Sequence, residues 1–120
     1  LLENTLAMGA HMIENLNALA EKHPVIGDVR GKGLFCGAEL VADRATKAPF
    51  DAARQLHLKV RAQAMENGLI CYPVGGNVDG VNGDIVILSP PYNCTDAELT
   101  EIVDKCAMSI RQVLRAEGLA

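Results

Sequence analysis

Three glycines on a short spacing, Gly31, Gly33 and Gly37, lead into an apolar run in the first third of the chain. Glycine permits positive φ angles and close approach of another backbone, so the pattern is compatible with a tight entry into a β-strand or with a cradle for a phosphate. A phosphate loop, however, lies between a strand and the N-terminus of the following helix, whose amides face the anion. Here the apolar run follows the glycines. This order favours a strand over residues 33–41 and argues against a nucleotide site.

The two ends of the chain carry the periodicity of amphipathic helices. Residues 2–22 place apolar side chains at steps of three, four and seven, and the pattern stops before Pro24. Near the C-terminus, Thr95 and Glu98 have the spacing of a capping box, in which each side chain bonds the other residue's backbone amide. The apolar residues that follow keep a helical period to the end of the chain, so one face of this helix is expected to cover a sheet.

The middle of the chain predicts one more helix and two short strands. Residues 51–67 have a helical apolar face followed by a glycine, a common helix stop. Residues 69–72 and 85–88 are short apolar β candidates. The linker between them is rich in turn formers and is compatible with a tight hairpin at Asn82-Gly83 or with a longer loop.

These elements predict an α+β fold, a two-layer sandwich in which a small, mostly antiparallel sheet is covered on one face by helices. A chain of 120 residues with 49% apolar and 22% charged residues matches one ordinary globular domain. The net charge is −4 and the basic residues form no stripe, which argues against a nucleic-acid partner. No apolar run approaches the ~20 residues of a membrane span and no leader precedes the first helix, so we expect no membrane association and a cytoplasmic location.

The cysteines and histidines give no sign of a metal site. The four cysteines form no Cys-x-x-Cys pair, and the three histidines lie in separate segments. This spacing predicts neither a metal centre nor a cysteine nucleophile. Cys36, Cys71 and Cys106 are interpreted instead as small buried apolar side chains in a reducing compartment.

Several short motifs occur in an order that resembles one known family. They are Arg30–Phe35, Asp43-Arg44, Lys47–Asp51, Gly68–Ile70, Gly83-Asp84 and Ser89-Pro90-Pro91. Together they resemble the C-terminal small domain of class III aminotransferases, the pyridoxal-phosphate enzymes of fold type I, and in particular the type that uses ω-amino acids and pyruvate. The resemblance extends over nearly the whole chain and implies the same α+β two-layer architecture.

The resemblance implies that residues 1–120 are a single C-terminal small domain, a fragment of a longer chain, with residues 1–22 as the truncated inter-domain helix. In this family, the lysine that forms a Schiff base with pyridoxal phosphate and the carboxylate beside the pyridine nitrogen come from the large domain. None of the lysines here lies in a segment that resembles the Schiff-base motif. No catalytic or cofactor-binding residue is therefore assigned to this chain. The fragment alone is expected to bind no cofactor and to be inactive without the large domain and the homodimer mate.

Arg30 is the first of four candidate residues for the substrate side of the pocket. Its guanidinium matches the geometry of a carboxylate and can grip one at two points. A structural role, in which Arg30 pairs with Asp28 or Glu39 at the strand entry, is the favoured interpretation. Lys32, between two glycines, is interpreted as a solvated loop charge.

The other three candidates are Tyr72, Ser89 and Pro90. The Ser89-Pro90-Pro91 turn resembles the family's Ala-Pro-Pro at the rim of the active site, and two prolines give either a rigid pocket edge or the end of a strand. The Tyr72 hydroxyl can reach substrate, although packing in the core or at an interface explains this residue equally well.

One departure from the family bears on the substrate. Members that act on α-amino acids such as ornithine have a carboxylate-binding arginine two residues before the Ala-Pro-Pro turn, where this chain has Ile87. Other members, which accept β- or ω-amino acids, have an arginine just before the Gly-Asp step, whereas residues 75–82 contain no basic residue. The resemblance therefore implies an amine or ω-amino donor with a keto-acid acceptor such as pyruvate. A racemase or mutase with the same cofactor is an alternative, as is a freestanding α+β ligand-binding or interaction module.

Overall fold

The computed structural model of the protein describes residues 1–119. Its elements in chain order are α1 (Leu2–Lys22), β1 (Ile26–Lys32), β2 (Phe35–Leu40), a 3₁₀ turn (Ala52–Arg54), α2 (Leu56–Glu66), β3 (Tyr72–Gly75), β4 (Asp84–Leu88) and α3 (Asp96–Ala116). The four strands pair antiparallel in the order β1-β2-β4-β3. The predicted α+β class is confirmed.

The three α-helices bury one face of this sheet. Side chains alternate along a strand, so β2 sends Cys36, Ala38 and Leu40 to the helical side, and all three are buried. They join one core cluster with residues from every α-helix, among them Met12, Leu16, Leu56, Val60, Leu99, Val103 and Ile110. Within residues 1–119, no helix combines the length and apolar character needed to cross a bilayer.

The predicted strand over residues 33–41 covers only half of what forms there. Residues 26–32 are also a strand, and β1 and β2 form a hairpin whose turn contains Gly33 with φ +58°. The sequence pattern did not predict β1, because its glycines are typical of a loop. Gly31 is required by packing, since a Cβ at this position would lie 2.4 Å from the Phe35 carbonyl oxygen and 2.7 Å from Cys36 Sγ.

The predicted helix over residues 51–67 is interrupted. Asp51 caps the 3₁₀ turn by accepting a hydrogen bond from the Ala53 amide, and Gln55, with φ 48°, separates this turn from α2. The break has a local cause, because a residue in the left-handed region cannot continue a right-handed helix. The spacing of apolar residues along the sequence gives no indication of such a break.

The predicted strand over residues 69–72 begins three residues too early. The Leu69 amide still donates to the Ala64 carbonyl at 2.8 Å across Gly68, which has φ +84°, so Leu69 belongs to the C-terminal closure of α2. The strand is therefore Tyr72–Gly75. It connects to β4 through residues 76–83, so the connection is the longer loop and not the tight hairpin at Asn82-Gly83. A hydrogen bond from the Gly76 amide to the Gly83 carbonyl closes this loop.

Thr95 caps the N-terminus of α3 as predicted, because its hydroxyl accepts a hydrogen bond from the Glu98 amide at 3.2 Å. The Glu98 carboxylate accepts from the Thr95 hydroxyl at 3.1 Å and not from the Thr95 amide that the capping box predicted. The Asn4 side-chain amide donates to the Tyr92 and Cys94 carbonyls at 2.7 and 3.1 Å. The start of α1 is thereby tied to the segment between β4 and α3.

The contact between α1 and the β1–β2 turn provides a test of the packing. In an exposed helix interior, replacing glycine by alanine stabilises a protein by about 1 kcal/mol. At Gly9 we expect the opposite sign, because the new Cβ would lie 2.3 Å from the Gly33 carbonyl oxygen. Gly9→Ala should lower the free energy of unfolding by about 1–3 kcal/mol, measured by urea denaturation followed by circular dichroism.

Ala10→Gly at the exposed neighbouring position of α1 is the matched control. It should lower the free energy of unfolding by about 1 kcal/mol through helix propensity alone. A Gly9→Ala protein that is more stable than the unmodified chain would show that α1 does not approach the turn as closely as described.

Candidate functional site

The candidate site lies on the face of the sheet opposite the helices, which we call the open face. Its strand residues are Asp28, Arg30, Lys32, Phe35, Gly37, Glu39, Tyr72, Val74, Ile85 and Ile87. The strand register aligns Arg30, Gly37, Ile87 and Tyr72 in one row across all four strands. Tyr72 is thus next to Ile87, whereas Arg30 is three strand spacings from Tyr72, or about 14 Å. The structure brings two of the predicted candidates, Arg30 and Tyr72, onto one face but not into contact.

Arg30 is held by two carboxylates of its own sheet. Its Nη1 atom donates to Asp28 Oδ2 at 2.8 Å and to Glu39 Oε2 at 2.9 Å. The hydrogen bond to Glu39, followed by that to Asp28, raises the pKa of the guanidinium above its usual value. The pairing anticipated from the sequence is therefore present, and the positive charge of Arg30 is locally compensated. A direct role for Arg30 with substrate stays a prediction.

The Ser89–Pro91 turn lies at the end of β4, between two grooves. Ser89 is exposed and Pro90 is buried. The groove on one side, of about 430 Å³, is lined by Thr5, Lys32, Gly33, Leu34, Phe35, Ser89, Pro90, Pro91 and Tyr92. The groove on the other side, of about 380 Å³, is lined by apolar and neutral residues that include Tyr72, Ile87 and Ile102. The three remaining candidates, Tyr72, Ser89 and Pro90, therefore meet around one turn.

A third groove, of about 420 Å³, runs over the sheet itself. Its lining includes Arg30, Lys32, Phe35, Ile85 and Ile87. Lys32 is shared between this groove and the first groove beside the Ser89–Pro91 turn. The open face therefore offers apolar surface for a carbon chain and cations for an anionic group.

Buried Asp84 and partly exposed His57 form a contact that the sequence did not predict. Asp84 is only 3% exposed. Its carboxylate accepts hydrogen bonds from the His57 amide at 3.0 Å and from His57 Nδ1 at 2.7 Å. An ionised carboxylate only accepts, so Nδ1 carries the hydrogen. The pair joins the first turn of α2 to the start of β4. A signal was present in the Gly83-Asp84 motif, where an acidic residue opens a buried apolar strand.

Gly75 completes this arrangement at the end of β3. A Cβ at Gly75 would lie 2.4 Å from His57 Cε1, so the imidazole packs directly against the strand backbone. The β3–β4 hairpin, which carries Tyr72 and Ile87, is in this way fixed to α2. The Asp84–His57 pair accordingly positions the open face rather than belonging to it.

None of these three grooves fits pyridoxal phosphate by itself. This cofactor needs a lysine amine and a carboxylate facing one cavity, and none of the three is lined by both. Three lysines are engaged elsewhere: Lys47 with the Gly27 carbonyl, Lys59 with Glu117 and Lys105 with Glu101. Lys22 lies at the end of α1, on the helical side.

The cysteines offer no alternative chemistry. Burial raises the pKa of the Cys106 thiol to about 12, and desolvation also raises the pKa values of Cys36, Cys71 and Cys94. These thiols are therefore poor nucleophiles at neutral pH. No group of three or more His, Cys, Asp or Glu side chains within residues 1–119 is arranged to hold a metal ion.

Comparisons with known proteins give one consistent result. The sequence model of class III aminotransferases matches residues 1–110. The hypotaurine/taurine–pyruvate aminotransferase of Paracoccus denitrificans is 46% identical over 113 residues, which is 94% of this chain and 24% of that protein. The taurine–pyruvate aminotransferase of Rhodobacter capsulatus is 42% identical over 113 residues, which is again 94% of this chain and 24% of that protein. The chain therefore spans about a quarter of the length of these curated relatives.

Solved structures share the same architecture. A PLP-bound aminotransferase mutant from Vibrio fluvialis aligns with a TM-score of 0.84 and 32% identity, covering 95% of this chain and 23% of that one. At this identity and coverage, the similarity extends through the helices, the sheet and the turn after β4. It does not extend to the other three quarters of the larger protein.

The ion pair between Arg30 and Glu39 leads to a prediction about stability. Arg30→Ala leaves the Glu39 side chain, only 15% exposed, without its partner. We expect the free energy of unfolding to fall by about 1–2 kcal/mol, because the Glu39 carboxylate keeps its desolvation cost without the compensating bond. Urea denaturation of Arg30→Ala, Glu39→Gln and the double variant measures the coupling. A coupling energy near zero would contradict the structural role of this pair.

Proposed function

The chain belongs to the class III aminotransferase family, and on this premise we propose that the full-length protein transfers an amino group from an amine or ω-amino acid to a keto acid such as pyruvate, with pyridoxal phosphate as cofactor. The observation that carries the proposal is the 46% identity, over nearly the whole chain, to a hypotaurine/taurine–pyruvate aminotransferase. The similarity to a PLP-bound aminotransferase supports the cofactor.

We further propose that this chain is the C-terminal small domain of that enzyme and that a large domain supplies the cofactor site. Two observations support this division: the chain spans 24% of the curated relative, and its described residues do not bring a lysine and a carboxylate together in a groove of the open face. We propose that the whole protein is a homodimer, as the family resemblance implies, and that it is cytoplasmic, as expected from the sequence. This chain alone stays predicted to be inactive.

The open face is the proposed wall of the substrate pocket. Ile87, at the position where relatives that act on α-amino acids have a carboxylate-binding arginine, lies on this face between Gly37 and Tyr72. An apolar side chain here favours a donor whose amino-bearing carbon carries no carboxylate. Tyr72 and the Ser89–Pro91 turn form the rim beside it, and Arg30 stabilises the sheet through its ion pairs.

An end-point assay on the full-length protein tests the reaction. With pyruvate as acceptor, we expect alanine to form from taurine, hypotaurine, β-alanine or a simple primary amine, and to form much more slowly from glutamate, whose single amino group lies on the α-carbon. Alanine is quantified by chromatography, with reactions lacking donor or pyruvate as controls. Equal rates for α-amino and ω-amino donors would contradict the proposed substrate class, and no alanine from any donor would contradict the proposed reaction.

Ile87→Arg tests whether the open face contacts the donor. A new guanidinium in the row between Gly37 and Tyr72 should raise the KM for an amine donor without an acidic group on the order of tenfold, because an unpaired charge replaces apolar surface. Activity with an α-amino acid donor should rise relative to that with the amine. Val81→Arg is the matched control, since Val81 is an exposed aliphatic residue in the 76–83 loop. Unchanged donor preference in a folded Ile87→Arg protein would place the pocket elsewhere.

A further inference from the structure

We propose that Lys32 binds the acidic group of the substrate, a sulfonate or carboxylate, in the groove beside the Ser89–Pro91 turn. This assignment rests on the aminotransferase function proposed above and adds the residue that recognises the anionic end of the molecule. Neither of the arginine positions expected from the family is basic here: Ile87 occupies one, and residues 75–82 contain no basic residue. The anion must therefore meet another cation.

Lys32 has the position that such a cation needs. It is the last residue of β1, is paired with Phe35 across the hairpin and faces the same side as Arg30. It is exposed, and it lines both the groove over the sheet and the groove that contains Ser89. An anion in the latter groove also meets the hydroxyl of Ser89, which can donate a hydrogen bond.

The charge balance of the open face selects Lys32 over Arg30. Arg30 is bonded to both Asp28 and Glu39, so its charge is already compensated. Among the ion pairs of residues 1–119, none involves Lys32 Nζ. The groove beside the Ser89–Pro91 turn has no acidic side chain in its lining, and Lys32 is its one charged residue. An ammonium with three free donors in such a groove is a suitable partner for a sulfonate or carboxylate oxygen.

The backbone around Lys32 is held in place. Gly31 packs against Cys36, and the Gly33 carbonyl is in close contact with Gly9 of α1. Lys32 thus projects from a fixed hairpin end, while its long aliphatic stem lets the ammonium adjust to its ligand. The surrounding Phe35 ring, 63% exposed, supplies apolar surface for the carbon chain of the same molecule.

The test uses Lys32→Gln and Lys32→Arg in the full-length enzyme with pyruvate held saturating. For a donor with a sulfonate, such as taurine, Lys32→Gln should raise the KM about tenfold with kcat little changed, and Lys32→Arg should stay near the unmodified value. For a primary amine of similar length without an acidic group, both variants should match the unmodified enzyme. Lys22→Gln, which removes an exposed lysine on the helical side, is the matched control and should change neither KM.

A binding measurement separates this proposal from the reaction itself. The Kd of ethanesulfonate, which has no amino group to transfer, is measured calorimetrically on the same proteins and should rise about tenfold in Lys32→Gln. If the enzyme is active, either of two results would overturn the role of Lys32 without affecting the proposed function. The first is that Lys32→Gln leaves both the taurine KM and this Kd unchanged. The second is that it raises the KM equally for donors with and without an acidic group. If the unmodified protein transaminates no donor, the proposed function fails, and an unchanged ethanesulfonate Kd would then refute sulfonate binding at Lys32 as well.

Discussion

Apolar side chains from α1, α2 and α3 cover one face of a four-stranded sheet, and this one-sided burial determines what the other face can be. Because strand side chains alternate, each residue of β2 and β4 that faces the helices is followed along the strand by one that points away from them. The open face therefore combines the exposed aromatic residues Phe35 and Tyr72 with charged residues. Exposed apolar surface of this kind is typical of a surface that another part of a protein or a ligand contacts.

The geometry of the open face is fixed from both edges of the sheet. At the β1–β2 edge, Gly9 lets α1 pack against the Gly33 carbonyl. At the β3–β4 edge, Asp84 joins β4 to His57 of α2 through two hydrogen bonds. Each bond to a charged group contributes about 1.5–3 kcal/mol, and an orphaned buried carboxylate costs more. The side chains between these two anchors consequently lie on a rigid support, which a binding surface requires.

The sequence predicted the long elements well and the short ones poorly, for identifiable reasons. The bounds of α1 and the capped start of α3 follow from local periodicity and from Thr95, signals that need no knowledge of the rest of the fold. Strand β1 was missed because Gly31 is required by a contact with Cys36 that exists only once the hairpin has formed. By contrast, the pairing of Arg30 with Asp28 or Glu39 was predictable from their proximity in the sequence at the strand entry. The row that joins Arg30 to Tyr72 depends on the strand order, which no local pattern encodes.

Arg30 and Lys32, the two cations of the open face, differ in the free-energy cost of excluding water from that face. Arg30 carries its counter-charges with it, so its surroundings change little when water is excluded. Lys32 has no such partner within the described residues, and removing an unpaired ammonium from water costs several kcal/mol. If the large domain that we propose to supply the cofactor site also covers the open face, an anionic group beside Lys32 offsets that cost. Under this proposal, binding of an acidic substrate and closure over the open face favour each other, because both act on the same ammonium group.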